Sequence, residues 1–241
     1  VSGIALYCLI YERNPRQARQ IYATANKRDQ AKIVFTMVKS QLKSLRGKSK
    51  AIQKFTKVLQ NELTTTDDSF MKPLSADADT LDGLDTLLGI FDEYALSKTT
   101  EMMDVIETSM GQQIEPLTII ISTASSKLNY PMYSIEYQYV TKLLKEEVVG
   151  DEYLALCWEQ DNAKEVADTD MWIKSNPLME LSEQKERLTE SKKRLLDEGK
   201  AKGSISNVLT KEFNIWVQSS QESYMNEEEW LAAVAPDYIK Q

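Results

Sequence analysis

At 241 residues, 42% hydrophobic and 27% charged, the chain has the make-up of a globular protein with one large domain, or one domain and a smaller module. Its formal charge of −8 argues against a uniformly basic nucleic-acid coat and leaves room only for a local basic strip. It has no histidine and two distant cysteines, Cys8 and Cys157. Zinc sites and Ser-His or Cys-His catalysis built from this chain alone are therefore excluded, and the two thiols read as structural, in a reducing compartment.

Val1 opens directly into Ile4, Ala5, Leu6, Leu9 and Ile10. This apolar helical pattern is too short to span a bilayer and lacks the basic start of a signal peptide, so Val1 reads as a cut inside a domain. Residues 21–25 predict a strand running into a polar turn at 26–29. Residues 30–57 predict a helix, with Ile33, Val34, Met37, Val38 and Leu42 at spacings of three and four. The polar stretch 61–80 predicts short strands and loops. A second strand then ends at Asp92, followed by a helix over about 100–111 and a third strand from Leu117 to Ile121. Strands alternating with helices predict a parallel sheet covered by helices on both faces. After a boundary near 148–151, Glu152 to Trp158 predicts a further strand. A charged helix is expected from Ser182, as N-cap, to Gly199, as the residue after its end. A second helix is expected to carry Ile205, Val208, Leu209, Phe213, Trp216 and Val217 on one face.

Leu87, Leu88, Ile90 and Phe91 form a short apolar run that stops at adjacent carboxylates, Asp92 and Glu93. A buried parallel strand reads as such a run, and open α/β sheets place ligands at its C-terminal end. An Asp there can hold Mg²⁺ on a nucleotide, and a neighbouring Glu can polarise the attacking water. Alone, such a pair also serves to solvate a strand end. The next predicted strand ends in Ser122, Thr123 and Ala124, which would lie beside the carboxylates and could contact the γ-phosphate or water. The two strand ends together favour an ATPase.

Gly47-Lys48-Ser49 invites reading as a phosphate loop, but that motif needs a glycine five residues before its Gly-Lys, and the position holds Leu42. The segment also follows a helix where a phosphate loop follows a strand, so it reads as a turn. Between Gln30 and Asn61 no residue is acidic, while Lys39, Lys43, Arg46, Lys48 and Lys50 are basic. This strip could approach a phosphate backbone or be a solvated helix face. Arg28 could serve as an arginine finger or be a surface turn residue. Trp172 and Ile173 read as a packing anchor with Asn176-Pro177 as its turn, and Trp216 and Trp230 as core or interface residues.

These segments together resemble the large subunit of tailed-phage terminases. The resemblance rests on Ala23-Thr24-Ala25 with Arg28-Asp29-Gln30-Ala31, then Asp82-Gly83-Leu84 ahead of Phe91-Asp92-Glu93. It continues through Ile121-Ser122-Thr123-Ala124, Trp172-Ile173-Lys174-Ser175-Asn176-Pro177, and Phe213-Asn214-Ile215-Trp216 with Trp230. Asp85-Thr86 stand where the family leads one to expect Asn-Pro.

The resemblance implies an α/β, P-loop NTPase-type parallel sheet, incomplete at its N-terminus, over residues 1–148. It implies a small, mostly helical linker subdomain over 149–241, with the phosphate loop expected before Val1 and the nuclease beyond Gln241. It implies ATP and Mg²⁺ as cofactors, with Asp92 as metal ligand, Glu93 as catalytic carboxylate and Ser122-Thr123-Ala124 as coupling motif. The implied partners are double-stranded DNA, a portal protein, a small terminase subunit and further copies in a ring, in the host cytoplasm and away from membranes. The implied role is part of an ATP-driven motor that translocates and cuts DNA during head packaging, with weak ATP binding by this stretch alone. The alternative is a non-catalytic DNA-binding or assembly fragment of a split gene.

Overall fold

The computed structural model describes residues 1–11, 18–25, 28–75 and 83–218. It falls into two compact units, one formed by residues 1–122 with 130–139, the other by residues 123–129 with 140 onward.

The first unit is built on one sheet. Helix α1 (Ser2–Ile10) leads to strand β1 (Gln20–Ala25), helix α2 (Arg28–Lys48) and helix α3 (Lys50–Phe55). Strands β2 (Thr56–Val58), β3 (Leu63–Thr65) and β4 (Phe70–Ser75) follow, then β5 (Thr86–Asp92), helix α4 (Glu101–Ser109) and β6 (Leu117–Ile121). The sheet order is β2-β3-β4-β1-β5-β6. Strands β4, β1, β5 and β6 are mutually parallel, whereas β2 and β3 pair antiparallel. The expected α/β architecture is present, as a mixed sheet.

Side-chain alternation divides the core between the two faces. Ile21 and Ala23 of β1 and Leu88 and Ile90 of β5 pack with α1 and α2, where Ala5, Leu9, Val38 and Leu42 are fully buried. Tyr22 and Phe91 point the other way, onto Met103, Ile106 and Met110. Helices thus cover both faces. α4 lies close on β5 because Gly89 has no side chain: a Cβ there would sit 2.6 Å from Ile106 Cγ2. Ile106 is β-branched and has few rotamers in a helix to escape into. Gly89→Ala is therefore expected to lower stability by about 1–3 kcal/mol, read from a thermal melt.

The Gly47-Lys48-Ser49 run is the turn predicted from sequence. Gly47 and Lys48 end α2, and the Ser49 hydroxyl accepts a hydrogen bond from the Ile52 amide to start α3. The single helix expected over 30–57 is thereby split, and Thr56 to Val58 is strand β2.

The second unit is helical, with α6 (Ser182–Ala201) and α7 (Ile205–Glu212) as its main elements and no strand among the described residues. A π-helix (Met132–Tyr137) belongs to the first unit, and helix α5 (Gln138–Leu144) runs from the first unit into the second. Three sequence expectations are corrected here. Glu152 to Trp158 alternates in burial like a strand but joins no ladder, leaving Leu154 82% and Leu156 65% exposed. Gly199 does not end α6. It lies within the helix, where a Cβ would meet Val208 Cγ2 at 2.8 Å, so it lets α7 pack closely. The stop is Gly203 at φ +65°, in a Schellman arrangement with Ser204 N–H donating to Gly199 C=O at 2.8 Å. Phe213, Trp216 and Val217 lie beyond the end of α7 rather than on its face.

The core of this unit joins two of the segments that carry the family resemblance. Trp172, 2% exposed, meets fully buried Phe213 edge to face at 5.2 Å, and its indole N–H donates to Val166 C=O at 3.0 Å. Asn176 donates to the Glu212 carbonyl at 3.0 Å. Buried Lys192 reaches Glu212 Oε2 at 2.7 Å and lies over the Phe213 ring. Trp172 is thus the anchor expected from sequence, while Ile173 is 37% exposed and contributes little.

Candidate functional site

In the sheet, the chain from β1 passes through α2 and α3 to β2, β3 and β4 on one side, and that from β5 leads to β6 on the other. The C-terminal ends of β1 and β5 therefore flank a topological switch point, where open sheets form a crevice. Register places Thr24 opposite Phe91, and Asp92 opposite Ile121 of β6. Thr24, buried, donates its hydroxyl proton to the Ile90 carbonyl at 3.1 Å and ties β1 to β5 just below the carboxylates.

Asp92 is the last residue of β5, and Glu93 turns the chain with φ 54° and ψ 44°. That left-handed conformation costs a non-glycine residue roughly 1–2 kcal/mol, so the fold carries strain at this carboxylate. Two contacts hold the turn. Leu96 N–H donates back to Glu93 C=O at 3.0 Å, and Ala95 N–H donates to the Ser122 hydroxyl at 2.9 Å. Ser122 follows directly on β6, so the neighbouring strand braces the turn that carries Glu93. Glu93→Gly is expected to leave stability unchanged or raise it by up to about 1 kcal/mol, because glycine adopts the left-handed region freely. Denaturant unfolding of the two proteins measures this.

Asp92 and Glu93 are both half-buried, and neither carboxylate makes an ion pair or hydrogen bond with a described residue. Two adjacent carboxylates with no cation beside them among the described residues suit a hard, oxygen-seeking ion. Mg²⁺ takes one or two protein carboxylates and fills its remaining positions with water and phosphate. Among the described residues, no three acidic or thiol side chains are grouped so that they could hold a metal ion.

Behind the turn, Tyr94 is buried with its hydroxyl unpartnered. Burial, reinforced by Glu136, Asp104 and Glu107, raises its pKa far above the usual phenol range, so it stays neutral. Thr123 and Ala124 complete the Ser122 run, and the buried Ala124 donates its amide to Asn214 Oδ1 at 2.6 Å within the helical unit. Sequence reasoning passed over the structural roles of Tyr94 and Asn214. An Asn just beyond a helix end, where a left-handed residue is common, was the available signal for Asn214, which has φ 53°. The side chain of Arg28 lies outside the described residues, as does Trp230.

The basic strip divides. Lys39 donates to the Gln60 carbonyl at 2.9 Å, and Arg46 donates to Gln53 C=O at 3.1 Å and to the Thr56 hydroxyl at 3.0 Å. Both therefore brace the junction of α2, α3 and β2. Lys43, Lys48 and Lys50 are exposed. At 3.6 residues per turn, Lys39, Lys43 and Arg46 share one stripe of α2, and Lys48 lies roughly opposite it.

Cys8 is buried and Cys157 half-buried. Burial, with Glu159 beside it, pushes the Cys157 thiol up to about 12, away from the thiolate form that a reactive cysteine needs. No described helix is long and apolar enough to cross a membrane.

Comparison with known proteins gives this geometry a family. The profile for the terminase large subunit, ATPase domain, matches residues 1–142, and that for the terminase large subunit, endonuclease domain, matches residues 147–238. The second match covers most of the stretch read from sequence as a linker. The protein YmfN of Escherichia coli K12 is 28% identical over 150 residues, which is 62% of this chain and 32% of that protein. The crystal structure of the HK97 bacteriophage large terminase superposes with a TM-score of 0.66 at 21% identity, covering 89% of this chain and 43% of that one. The ATPase domain of the Thermus phage P74-26 large terminase gives a TM-score of 0.41 at 23% identity, covering 51% of this chain and 53% of that one. The chain thus spans less than half of the HK97 terminase and about a third of YmfN. With the ATPase profile running unbroken from α1 through the carboxylate crevice to α5, the chain belongs to the family of terminase large subunits.

Proposed function

We propose that the crevice at the ends of β1 and β5 is the hydrolytic half of the ATPase site of a motor that moves double-stranded DNA during phage head packaging. The observation that carries this reading is the pair of carboxylates, Asp92 and Glu93, that no described residue pairs, at the switch point of the sheet, with Glu93 held in a strained turn by Ser122. Strain persists where surrounding structure over-determines it, and such positions cluster at reacting centres.

In this reading Asp92 is the ligand for Mg²⁺, which when bound neutralises charge on the nucleotide phosphates. Glu93 is fixed at the rim of the crevice to accept a proton from the attacking water. Thr24 holds β1 and β5 in register beneath both. Ser122-Thr123-Ala124 is the coupling segment, since its first residue braces the Glu93 turn. Arg28 remains a candidate arginine finger.

The phosphate-binding half has to come from a Gly-Lys-Ser/Thr loop on a strand. The only run of that type in the sequence closes α2. Within the sheet, the outer side of β6 is the parallel edge to which no described strand is paired, and its residues are only half-buried or exposed. A strand bearing the loop fits that edge, beside the Ser122 run.

Exposed Lys43, Lys48 and Lys50 are the proposed contacts to the DNA backbone, while Lys39 and Arg46 stabilise the fold around them. A portal protein, a small terminase subunit, a ring of copies and a host-cytoplasmic setting belong to the same proposal. So does cutting of the DNA by the endonuclease region to which residues 147–238 are related.

The test is phosphate release from Mg·ATP by the chain, mixed with a polypeptide that carries a strand and phosphate loop. Activity that disappears in Asp92→Asn and Glu93→Gln supports the reading. Salt-dependent DNA binding without any hydrolysis favours the competing role of a binding or assembly fragment.

A further inference from the structure

The chain leaves the sheet unit at Ser122 and enters the helical unit at Thr123, and this crossing is anchored on both sides. On the sheet side, the Ser122 hydroxyl accepts from Ala95, two residues past Glu93. On the helical side, Ala124 N–H donates to Asn214 Oδ1 at 2.6 Å, and the same amide's Nδ2 donates to Trp158 C=O at 3.0 Å. One side chain thus spans two backbone segments, Ala124 and Trp158, neither of which makes a sheet ladder there.

Asn214 is itself firmly placed. It sits at φ 53°, a conformation that asparagine tolerates better than most residues. Its neighbour Phe213 is fully buried against Trp172, and the Phe213 carbonyl accepts from Gln160 N–H at 3.3 Å. The carboxamide is therefore presented by the core of the helical unit and not by a loose loop. An amide is the group this position needs, since it accepts with one atom and donates with the other.

We infer that Asn214 is a positioning residue for the reaction proposed above. It sets the conformation of Ser122-Thr123-Ala124 and, through Ser122, the turn that holds Glu93. The helical unit thereby biases the reacting carboxylate through the covalent segment Ser122-Thr123-Ala124, one of the three places where the chain passes between the units. The functional meaning rests on Glu93 being the reacting group; the mechanical link does not.

Amide hydrogen exchange in the 241-residue chain tests the link without nucleotide, so a failed link and a failed ATPase reading give separate results. In Asn214→Ala, the Ala124 amide is expected to exchange about tenfold faster, the size of one lost hydrogen bond. The Ala95 amide should exchange about threefold faster, while the Ile90 amide in the β5 ladder stays unchanged. Asn214→Asp keeps an acceptor for Ala124 but loses the donor to Trp158 C=O, so it should slow Ala124 exchange relative to Asn214→Ala without restoring it fully. Should Asn214→Ala loosen the whole helical unit, seen as faster exchange at Trp172, the reciprocal variant decides. Ser122→Ala should speed the Ala124 amide about threefold with Trp172 unchanged, because coupling is mutual. Unchanged Ala95 exchange in a folded Asn214→Ala protein, or unchanged Ala124 exchange in Ser122→Ala, overturns the inference.

Discussion

Replacing Trp172 with alanine is expected to remove about 3–5 kcal/mol from the stability of the helical unit, the usual cost of truncating a buried tryptophan. Trp172 is 2% exposed and packs edge to face on Phe213, the other fully buried aromatic among the unit's described residues. Truncation opens a cavity between them and leaves the Val166 carbonyl without its donor. The effect spreads through the polar lattice around the pair, because Asn176 and Lys192 both hold Glu212, next to Phe213. A domain holds only about 5–15 kcal/mol in total, so a third or more of the unit's stability is at stake. Urea unfolding followed by far-UV circular dichroism should show the helical transition moving to lower denaturant while the sheet transition stays. Trp172→Phe keeps the ring packing and loses only the hydrogen bond, so it should cost about 1 kcal/mol. A shift below about 1 kcal/mol for the alanine variant would remove Trp172 from the centre of this core.

The other large effect is catalytic. Glu93→Gln preserves side-chain size and the left-handed backbone but cannot take a proton, so hydrolysis is expected to fall by about 10²–10⁴-fold. Metal affinity should change little, because Asp92 remains. Asp92→Asn removes the charge that attracts the ion, and metal affinity should fall at least about tenfold, by roughly 1.4 kcal/mol. The two variants therefore separate along two measurements, phosphate release and metal titration. Equal loss of metal binding in both would mean that the carboxylates act as one ligand set, against the division of roles drawn here.

Much of this site could be read in the sequence because it is local. An apolar run that ends in two acids becomes β5 and its exit, and the next apolar run becomes β6, so adjacent strand ends followed from order alone. The Trp172 and Phe213 segments could be recognised as blocks, but their contact could not, since some forty residues and two helices separate them. Glu152 to Trp158 has the alternation of a strand, yet a strand exists only through its partner, and no described residue of the second unit supplies one. Gly199 looked like a helix stop because glycine usually is one there; its purpose is close packing against Val208, which no local pattern reveals. The basic strip shows the same limit. Charge can be counted along the chain, but carbonyl partners from other elements decide that Lys39 and Arg46 are braces. Residue type and spacing expose groups that act through the backbone nearby, whereas groups such as Asn214, which act across distant segments, emerge only in three dimensions.

The most direct test of the central claim is paramagnetic broadening of backbone amide signals by Mn²⁺·ATP, which registers even weak binding. The account predicts that Asp92, Glu93, Ala25 and Ser122, at the ends of β5, β1 and β6, broaden first, and that Asp92→Asn abolishes the effect. Broadening that survives in Asp92→Asn, or that centres on another acidic part of the chain, would contradict the assignment of this crevice as the nucleotide-metal site.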